Sequence, residues 1–486
     1  MNYTNKIKTV LLSLLLIGFA SCNMDVDNNL IVKEEDSFKN ENDVNALMLG
    51  AYAQMQELAP QLVLLNEVRA DYLELTPAGS ADLDLLALRQ NNASKENAYV
   101  SVKPFYKIIQ TCNNIIANVP KVGASDPAFT KEVENHYLAE ATGLRSWTYF
   151  QLAKLYGSVN YYESYVSSSQ DQITGETLTL EQLVPKLIAI ETAHLNNFSA
   201  GFIRNYSAAW RRVRVSEHST LAFLGELHMF NAAIKQGNAV EDYEKTLTYL
   251  GALMSLDSTT TSRQTFKVGN LYGGDKWSDI YKNMVVNADE AIFAVDYSKT
   301  YKQQHPLQDL FNTNPLLLFN SEYANIWEAS DKRAAISVDF SSRQVRKFAM
   351  QKQALDDDAP IIFYRAADIH LLYAEALNSL GRTDKALDII NKGNAYVEYT
   401  PTGEKIYNAQ SLGVRGRQNL PEIAIVASEA EIPEIVAELI RKERMRELAF
   451  EGKYWQDKIR YALLKGGNSF KNGEEIVSKD KWFLPQ

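Results

Sequence analysis

The feature that most constrains the fold is a pair of amphipathic segments within residues 364–391, separated by a very short turn. Apolar residues recur at helical spacing through 364–380, as they do on one face of an α-helix. Gly381 is suited to end that helix, and Thr383 is suited to cap the next one, which continues to Asn391. Small alanines at facing positions allow the two helices to approach closely, so the sequence predicts a helix–turn–helix unit.

Two more regions, 132–157 and 215–254, show comparable but more divergent helical units. Gly157 follows the first region as a C-terminal stop. Units of this kind are similar to tetratricopeptide repeats, in which neighbouring helix pairs stack into one continuous core. We therefore predict a mainly α fold, a tetratricopeptide-like helical-repeat scaffold whose long irregular loops carry minor β structure.

Other segments separate into helices and long loops. Amphipathic patterns predict helices over 43–58, 102–116 and 434–464. The stretches 255–345 and 393–430 mix Gly, Asn and aromatic residues and read as loop-rich insertions. Loops of this length in a folded chain are more often functional than decorative, so we expect a binding site there or near residues 60–99.

The N-terminal residues are typical of a lipoprotein signal peptide. Two lysines precede an apolar stretch over 10–19, which is too short to remain as a membrane-spanning helix. The small residues Ala20 and Ser21 then lead directly to Cys22. This run resembles the lipobox of bacterial lipoproteins, where the cysteine receives acyl chains such as palmitate and becomes the new N-terminus. The alternative is an ordinary secretory signal followed by a chance cysteine.

Cleavage before Cys22 would divide the chain into a signal peptide over 1–21, an acylated tether over 22–40 and a folded domain over 41–486. Each lipid CH₂ buried in a bilayer contributes about 0.8 kcal/mol, so the acylated cysteine would anchor the chain to a membrane. With Cys22 acylated, Cys112 has no partner for an intramolecular disulfide, and we predict that it is a small core residue.

Composition and charge exclude several classes of function. The formal net charge of −10 argues against binding to a nucleic-acid backbone as the main task. The chain has 26 Tyr and 6 Trp but only 6 His, and no histidines are spaced as in known metal motifs. No G-x-S-x-G nucleophile motif occurs either. The composition favours stacking and packing over metal or acid–base chemistry, so no enzyme activity and no cofactor are predicted.

Two groups of charges require a choice between interpretations. The run 356–358 of three aspartates could contact a cation such as Ca²⁺, but like charges in sequence more typically face solvent. Near the C-terminus, an enzyme could use paired carboxylates for proton transfer. Interleaved arginines keep such carboxylates ionised, so we predict a structural ion-pair network that ties the last helix to the repeats. Its members are Glu443, Arg444, Glu447, Glu451, Asp457 and Arg460.

Three ordered segments behind the lipobox together resemble the SusD/RagB family of Bacteroidetes outer-membrane lipoproteins. The first segment is 139–157, the second is 365–378 and the third is 443–460. The resemblance covers nearly all of 41–486, which it implies to be one SusD-like domain.

The resemblance implies a function that composition and spacing do not show. Members capture a nutrient at the outer face of the outer membrane and act with a SusC-type TonB-dependent transporter. Oligosaccharide is the expected cargo, and oligopeptide, as in the RagB branch, is the alternative. An enzyme lacks any supporting motif here, and a purely structural repeat protein would leave the long aromatic loops unexplained.

Candidate ligand contacts follow from the chemistry of the cargo. Tyr and Trp rings can stack on the C–H faces of sugars or on peptide side chains, while nearby polar groups satisfy the rest of the ligand. The alternative for each aromatic residue is that it packs a loop onto the scaffold. The candidate residues are Asp71, Tyr72, Tyr272, Trp277, Tyr323, Trp327, Tyr396 and Tyr399.

Overall fold

Helices dominate the computed structural model of the protein, as predicted. It describes residues 38–166, 175–198, 210–255, 271, 274–281, 290–298, 301–303, 305–348, 359–392, 397–399, 405–407 and 413–486. The α-helices are α1 (Glu41–Glu67), α2 (Pro77–Ala81), α3 (Leu83–Arg89), α4 (Lys103–Ser125), α5 (Lys131–Tyr156), α6 (Leu180–His194), α7 (Trp210–Val213), α8 (Glu217–Ile234), α9 (Val240–Ser255), α10 (Pro306–Gln308), α11 (Lys332–Ser337), α12 (Ala366–Ser379), α13 (Thr383–Asn391), α14 (Ile432–Glu447) and α15 (Tyr454–Leu464).

Short antiparallel strand pairs connect the helices. The pairs are β1 (Leu73–Leu75) with β5 (Leu317–Phe319), β2 (Ser158–Tyr161) with β3 (Glu176–Thr179), β4 (Ala291–Tyr297) with β8 (Ala359–Arg365), β6 (Val338–Asp339) with β7 (Gln344–Val345), β9 (Val397–Tyr399) with β10 (Lys405–Tyr407), and β11 (Ser469–Asn472) with β12 (Glu475–Ser478). Short helices of 3₁₀ or π type lie at Leu195–Asn197, Gly274–Tyr281, Asp309–Thr313, Ser321–Ile326, Gly416–Gln418 and Lys479–Lys481.

Helices adjacent in sequence pack as pairs, which confirms the predicted repeat architecture. α4 packs on α5, α8 on α9, and α12 on α13, while α6 and α14 add further layers. Gly225 makes one of these approaches possible, because a Cβ there would collide with the side chain of Leu250. Thr130 caps the start of α5 and Gly157, at φ +78°, ends it as the sequence predicts. Cys112 is fully buried in the main core, as expected.

Several helix boundaries differ from the prediction. The first predicted helix, 43–58, continues to Glu67. The helix expected over 434–464 is two helices, because the chain turns between α14 and α15 with positive φ at Phe450 and Gly452. The N-cap of α13 is Arg382 rather than Thr383, and it makes no side-chain capping hydrogen bond.

Two strand pairs bring together segments that are distant in sequence. The β1–β5 pairing places the residues after α1 beside the loop that follows β5. The β4–β8 pairing joins the middle of the chain to the start of α12. Within the part of the chain described, no helix combines the length and apolarity needed to cross a membrane.

Candidate ligand-binding site

Asp71 is the point at which four parts of the chain meet. Its Oδ2 accepts hydrogen bonds from Lys458 Nζ at 2.8 Å and from the backbone N–H of Gly473 at 2.6 Å. Its backbone carbonyl accepts from Asn320 Nδ2 at 3.3 Å. Burial, and then the neighbouring Asp71 carboxylate, raise the pKa of the Tyr323 hydroxyl. The loop after α1, the segment after β5, α15 and the β11–β12 turn therefore form one surface.

Tyr454 extends this surface onto α15. Its ring centroid lies 4.9 Å from that of Tyr72, with the planes inclined by 38°. Lys458 Nζ also lies 4.7 Å from the Tyr454 centroid. Two neighbours therefore hold the half-buried ring, and little side-chain freedom remains for a ligand to remove on binding.

A hydrogen bond to Glu67 holds Tyr72 in position. The Tyr72 hydroxyl donates a hydrogen bond to Glu67 and accepts one from the backbone N–H of Phe450 at 3.2 Å. The other Glu67 oxygen accepts from the Gly452 N–H at 2.6 Å. Burial raises the pKa of Glu67 to about 7, against the opposing effect of these donors. The turn between α14 and α15 is thus fastened to the end of α1.

A groove of about 510 Å³ runs between α14 and α15 next to this surface. Tyr454 and Tyr461 lie seven residues apart on α15, which places them on one face with a rise of about 10 Å between them. The Arg441 guanidinium lies 5.3 Å from the Tyr461 ring centroid. The groove is lined by Glu438, Arg441, Lys442, Met445, Tyr454, Asp457, Lys458, Tyr461 and Lys471.

Near the C-terminal end of α14, Glu447 is the centre of a fully buried ion-pair network. Arg333 Nη1 and Arg365 Nη1 donate to it at 2.8 and 2.7 Å, and Arg417 also donates. Burial alone would raise the pKa of Glu447, but Arg417, Arg365 and Arg333 together hold it well below its usual value. The carboxylate is therefore ionised and fixed in place.

A second set of pairs ties α14 and α15 to α12. Arg444 donates to Asp368 and Asp457, each at 2.8 Å, and Arg460 Nη2 donates to Glu375 at 2.8 Å. Both arginines and their partners are buried. The predicted role of this charged segment, linking the last helices to the repeats, is confirmed.

The aromatic candidates from the sequence occupy different positions. Trp277 is fully buried and its Nε1 donates to Glu447 at 2.8 Å. Trp327 is buried and its Nε1 donates to the carbonyl of Arg446 at 3.3 Å. Tyr72 is buried as well. These three rings pack in the interior, and ligand contact by any of them stays a prediction.

The structure brings Asp71, Tyr72 and Tyr323 together, and Trp327 joins them indirectly through aromatic contacts of Phe319 and Phe450. For Tyr399 only the backbone is described, in β9. The lipid-attachment candidate Cys22, the aspartate run 356–358 and two aromatic candidates, Tyr272 and Tyr396, lie outside the described residues.

The groove residues on α14 and α15 were missed by the sequence interpretation, which assigned 434–464 to the scaffold. The spacing of residues along α15 could have indicated this groove-facing side of the helix. Tyr454, Lys458 and Tyr461 recur at i, i+4 and i+7, whereas the buried residues Trp455 and Ile459 follow a separate face of the same helix.

Metal binding has no support within the described residues. No group of three or more His, Cys, Asp or Glu side chains is placed there to hold an ion. One histidine, His228, has a close carboxylate partner, Asp242, which it shares with Asn231 and Lys235. That cluster has the form of a hydrogen-bonded helix contact between α8 and α9.

The sequence and the fold can be compared with known proteins. Residues 320–484 match the family model described as the SusD family. The chain is 22% identical to a SusD-like protein of Formosa agariphila, over 93% of this chain and 90% of that protein. A second SusD-like protein of the same organism is 22% identical over 94% of this chain and 90% of its own length.

Solved structures show the same architecture. A SusD superfamily protein from Bacteroides thetaiotaomicron aligns with a TM-score of 0.67 at 17% identity, covering 89% of this chain and 92% of that one. Surface glycan-binding protein A from Bacteroides uniformis aligns with a TM-score of 0.69 at 17% identity, covering 92% and 96%. The fold is that of the SusD superfamily. The family-model match over residues 320–484, the SusD-like relatives and the solved structures together support the resemblance to the SusD/RagB family that the sequence predicted.

Proposed function

We propose that this protein is a surface-exposed lipoprotein that captures an oligosaccharide and delivers it to a SusC-type TonB-dependent transporter. Acyl chains on Cys22 would hold it on the outer face of the outer membrane. The observation that carries the proposal is the groove in which Tyr454 and Tyr461 share one face of α15. The function is binding rather than catalysis and requires no cofactor.

The groove has the chemistry that a sugar chain needs. Tyrosine rings present apolar faces to sugar C–H groups, and the charged side chains around them can hydrogen-bond to hydroxyls. Tyr461 is held in place, since its hydroxyl donates to Glu375 at 3.3 Å and the Arg460 guanidinium lies 4.7 Å from its ring centroid. Pre-ordered rings lower the entropy cost of binding.

The comparisons with known proteins also support oligosaccharide binding. One relative in fold is named a surface glycan-binding protein, and another solved structure is named a SusD-like carbohydrate binding protein from Bacteroides vulgatus. The matched family segment includes Tyr323 and both groove helices.

Calorimetric titration of the mature protein with soluble oligosaccharides and short peptides tests the cargo. We expect an oligosaccharide to bind, and Tyr461→Ala to weaken that binding about tenfold, or about 1.4 kcal/mol, because one stacking surface is lost. Tyr373→Ala is the matched control, since this half-buried tyrosine lies on α12 against Gly251, outside the groove. If both Tyr461→Ala and Tyr454→Ala bound the oligosaccharide with wild-type affinity, the groove would not be the binding site. Binding of peptides alone would support the RagB-like alternative.

Delivery and anchoring need separate experiments. Detergent extraction and pull-down of the native protein should recover a large TonB-dependent transporter, and isolation of the monomer alone would contradict delivery. Labelling with radioactive palmitate should be lost in Cys22→Ala and kept in the wild type. Equal labelling of the wild type and Cys22→Ala would place the palmitate on another residue. Absence of label from both proteins would exclude acylation.

A further inference from the structure

The groove differs in charge from the molecule as a whole. The chain carries a formal net charge of −10. The groove lining nevertheless has four basic side chains and only two carboxylates. The basic residues are Arg441, Lys442, Lys458 and Lys471, and the carboxylates are Glu438 and Asp457.

Asp457 contributes little negative charge to the groove. It is buried, and both of its oxygens are engaged by arginines behind the groove wall. Arg444 Nε and Nη2 donate to it at 2.8 and 3.1 Å, and Arg460 Nη2 lies 3.4 Å from Oδ1. Glu438 is therefore the carboxylate that remains on the open side of the groove.

Glu438 cannot neutralise the basic residues around it. Arg441 Nε donates to Glu438 at 2.9 Å, and Lys442 Nζ lies 3.6 Å from the same carboxylate. Arg441 Nη2 also lies 3.4 Å from Glu434, which pairs in turn with Lys465. Glu438 is therefore shared between Arg441 and Lys442 on α14. The Lys442 side chain is 57% exposed, so its ammonium can turn from Glu438 to a ligand at little cost.

Lys471 presents a second available ammonium from the other side. Its side chain is 67% exposed, and its acidic neighbour, Glu474, is 3.9 Å away and 99% exposed. Lys458 fixes this part of the wall, because its Nζ donates to the carbonyl of Lys471 at 2.8 Å as well as to Asp71. Lys458 is a positioning residue, whereas Lys442 and Lys471 are free to contact a ligand.

We infer that the groove between α14 and α15 selects oligosaccharides that carry anionic groups, carboxylate or sulfate, over neutral ones of the same length. The inference rests on the proposed glycan-binding function. A sugar ring stacked on Tyr454 or Tyr461 would place an acidic substituent next to Lys442 or Lys471, where charge-assisted hydrogen bonds can form. A neutral sugar can still accept hydrogen bonds from these lysines through its hydroxyls, but it gains no attraction between opposite charges.

The test is calorimetric titration of the mature protein with three tetrasaccharides. One is tetragalacturonate, one is a sulfated carrageenan tetrasaccharide and one is neutral cellotetraose. At low salt we expect at least one acidic tetrasaccharide to bind tenfold or more tightly than the neutral one. High salt should narrow the difference, because exposed charges are screened. The two acidic arms distinguish carboxylate from sulfate.

The double variant Lys442→Gln with Lys471→Gln should lose tenfold or more of its acidic-ligand affinity. Its affinity for a neutral ligand should fall by a smaller factor, because glutamine still offers hydrogen-bond donors. Lys107→Gln with Lys131→Gln is the matched control, since both lysines are exposed, paired and outside the groove lining. Equal losses in both double variants would overturn the inference. Neutral binding as tight as acidic binding would overturn it but leave the proposed function standing. Failure of every oligosaccharide to bind would overturn both.

Discussion

Two faces of α14 carry the same kinds of residue for different purposes. Toward the core, Arg444 and Glu447 are buried and bound to partners on other elements. Toward the groove, Glu438, Arg441 and Lys442 are partly or largely open to solvent and pair mostly with one another. The difference shows that the spacing of charges in the sequence does not distinguish scaffold residues from binding-site residues. The two groups are distinguished by side-chain burial and by whether the pairing residue lies on another element or on the same helix.

The physical basis of the comparison is desolvation. A charge removed from water is stable only when its partners replace the lost solvation, so the buried carboxylates each have several donors. Exposed pairs are close to neutral in free energy and can exchange a partner for a ligand. Three substitutions of glutamate by glutamine test this contrast.

Glu447→Gln should have the largest effect. It removes the negative charge shared by Arg333, Arg365 and Arg417 and leaves these buried guanidiniums short of compensation. We expect a loss of about 3–5 kcal/mol in the free energy of unfolding, measured by urea denaturation. A loss below about 1 kcal/mol would mean that the network does not hold the C-terminal helices.

Glu67→Gln should change the pH dependence of stability. Unlike Glu447, Glu67 is held mainly by neutral donors, and its pKa rises from 4.5 to about 7 in the fold. Between these values the native state retains a proton that the unfolded chain has released, so stability falls as pH rises. The variant should remove up to about 3 kcal/mol of that fall.

Urea denaturation at several values between pH 5 and 8 measures this slope. Part of the slope should survive in Glu67→Gln, because burial also raises the pKa of Glu191 to about 7. A variant with the same slope as the wild type would show that Glu67 is not protonated in this range.

Glu438→Gln should have the smallest effect on stability. Its carboxylate is 46% exposed and its partners are on the same helix. We expect a change below about 1 kcal/mol in the same urea assay. A loss as large as that of Glu447→Gln would erase the distinction between the two faces.

The helical scaffold could be predicted well from the sequence, because helices and helix pairs form between residues that are close in sequence. Apolar spacing and Gly157 located α5, and the 364–391 pattern located α12 and α13 within a few residues. The break between α14 and α15 was missed, because Glu443 to Leu464 keeps a helical pattern while the turn is imposed by long-range bonds such as Gly452 to Glu67.

The candidate site was only partly predictable for the same reason. Asp71 and Tyr323 are 252 positions apart, and they are brought together by the β1–β5 pairing and the Asn320–Asp71 hydrogen bond. Trp277 and Trp327 have the residue type that sugar binding needs, but their indole N–H groups serve the interior. Composition identifies aromatic residues, whereas only the fold decides which rings face solvent.

The most direct test of the account is a crystal structure of the mature protein with the oligosaccharide that binds it most tightly. We predict electron density for the sugar chain in the groove between α14 and α15, with rings stacked on Tyr454 and Tyr461. An acidic substituent should lie within hydrogen-bonding distance, about 3 Å, of Lys442 or Lys471. A sugar chain bound on another face, with the groove vacant, would contradict the account.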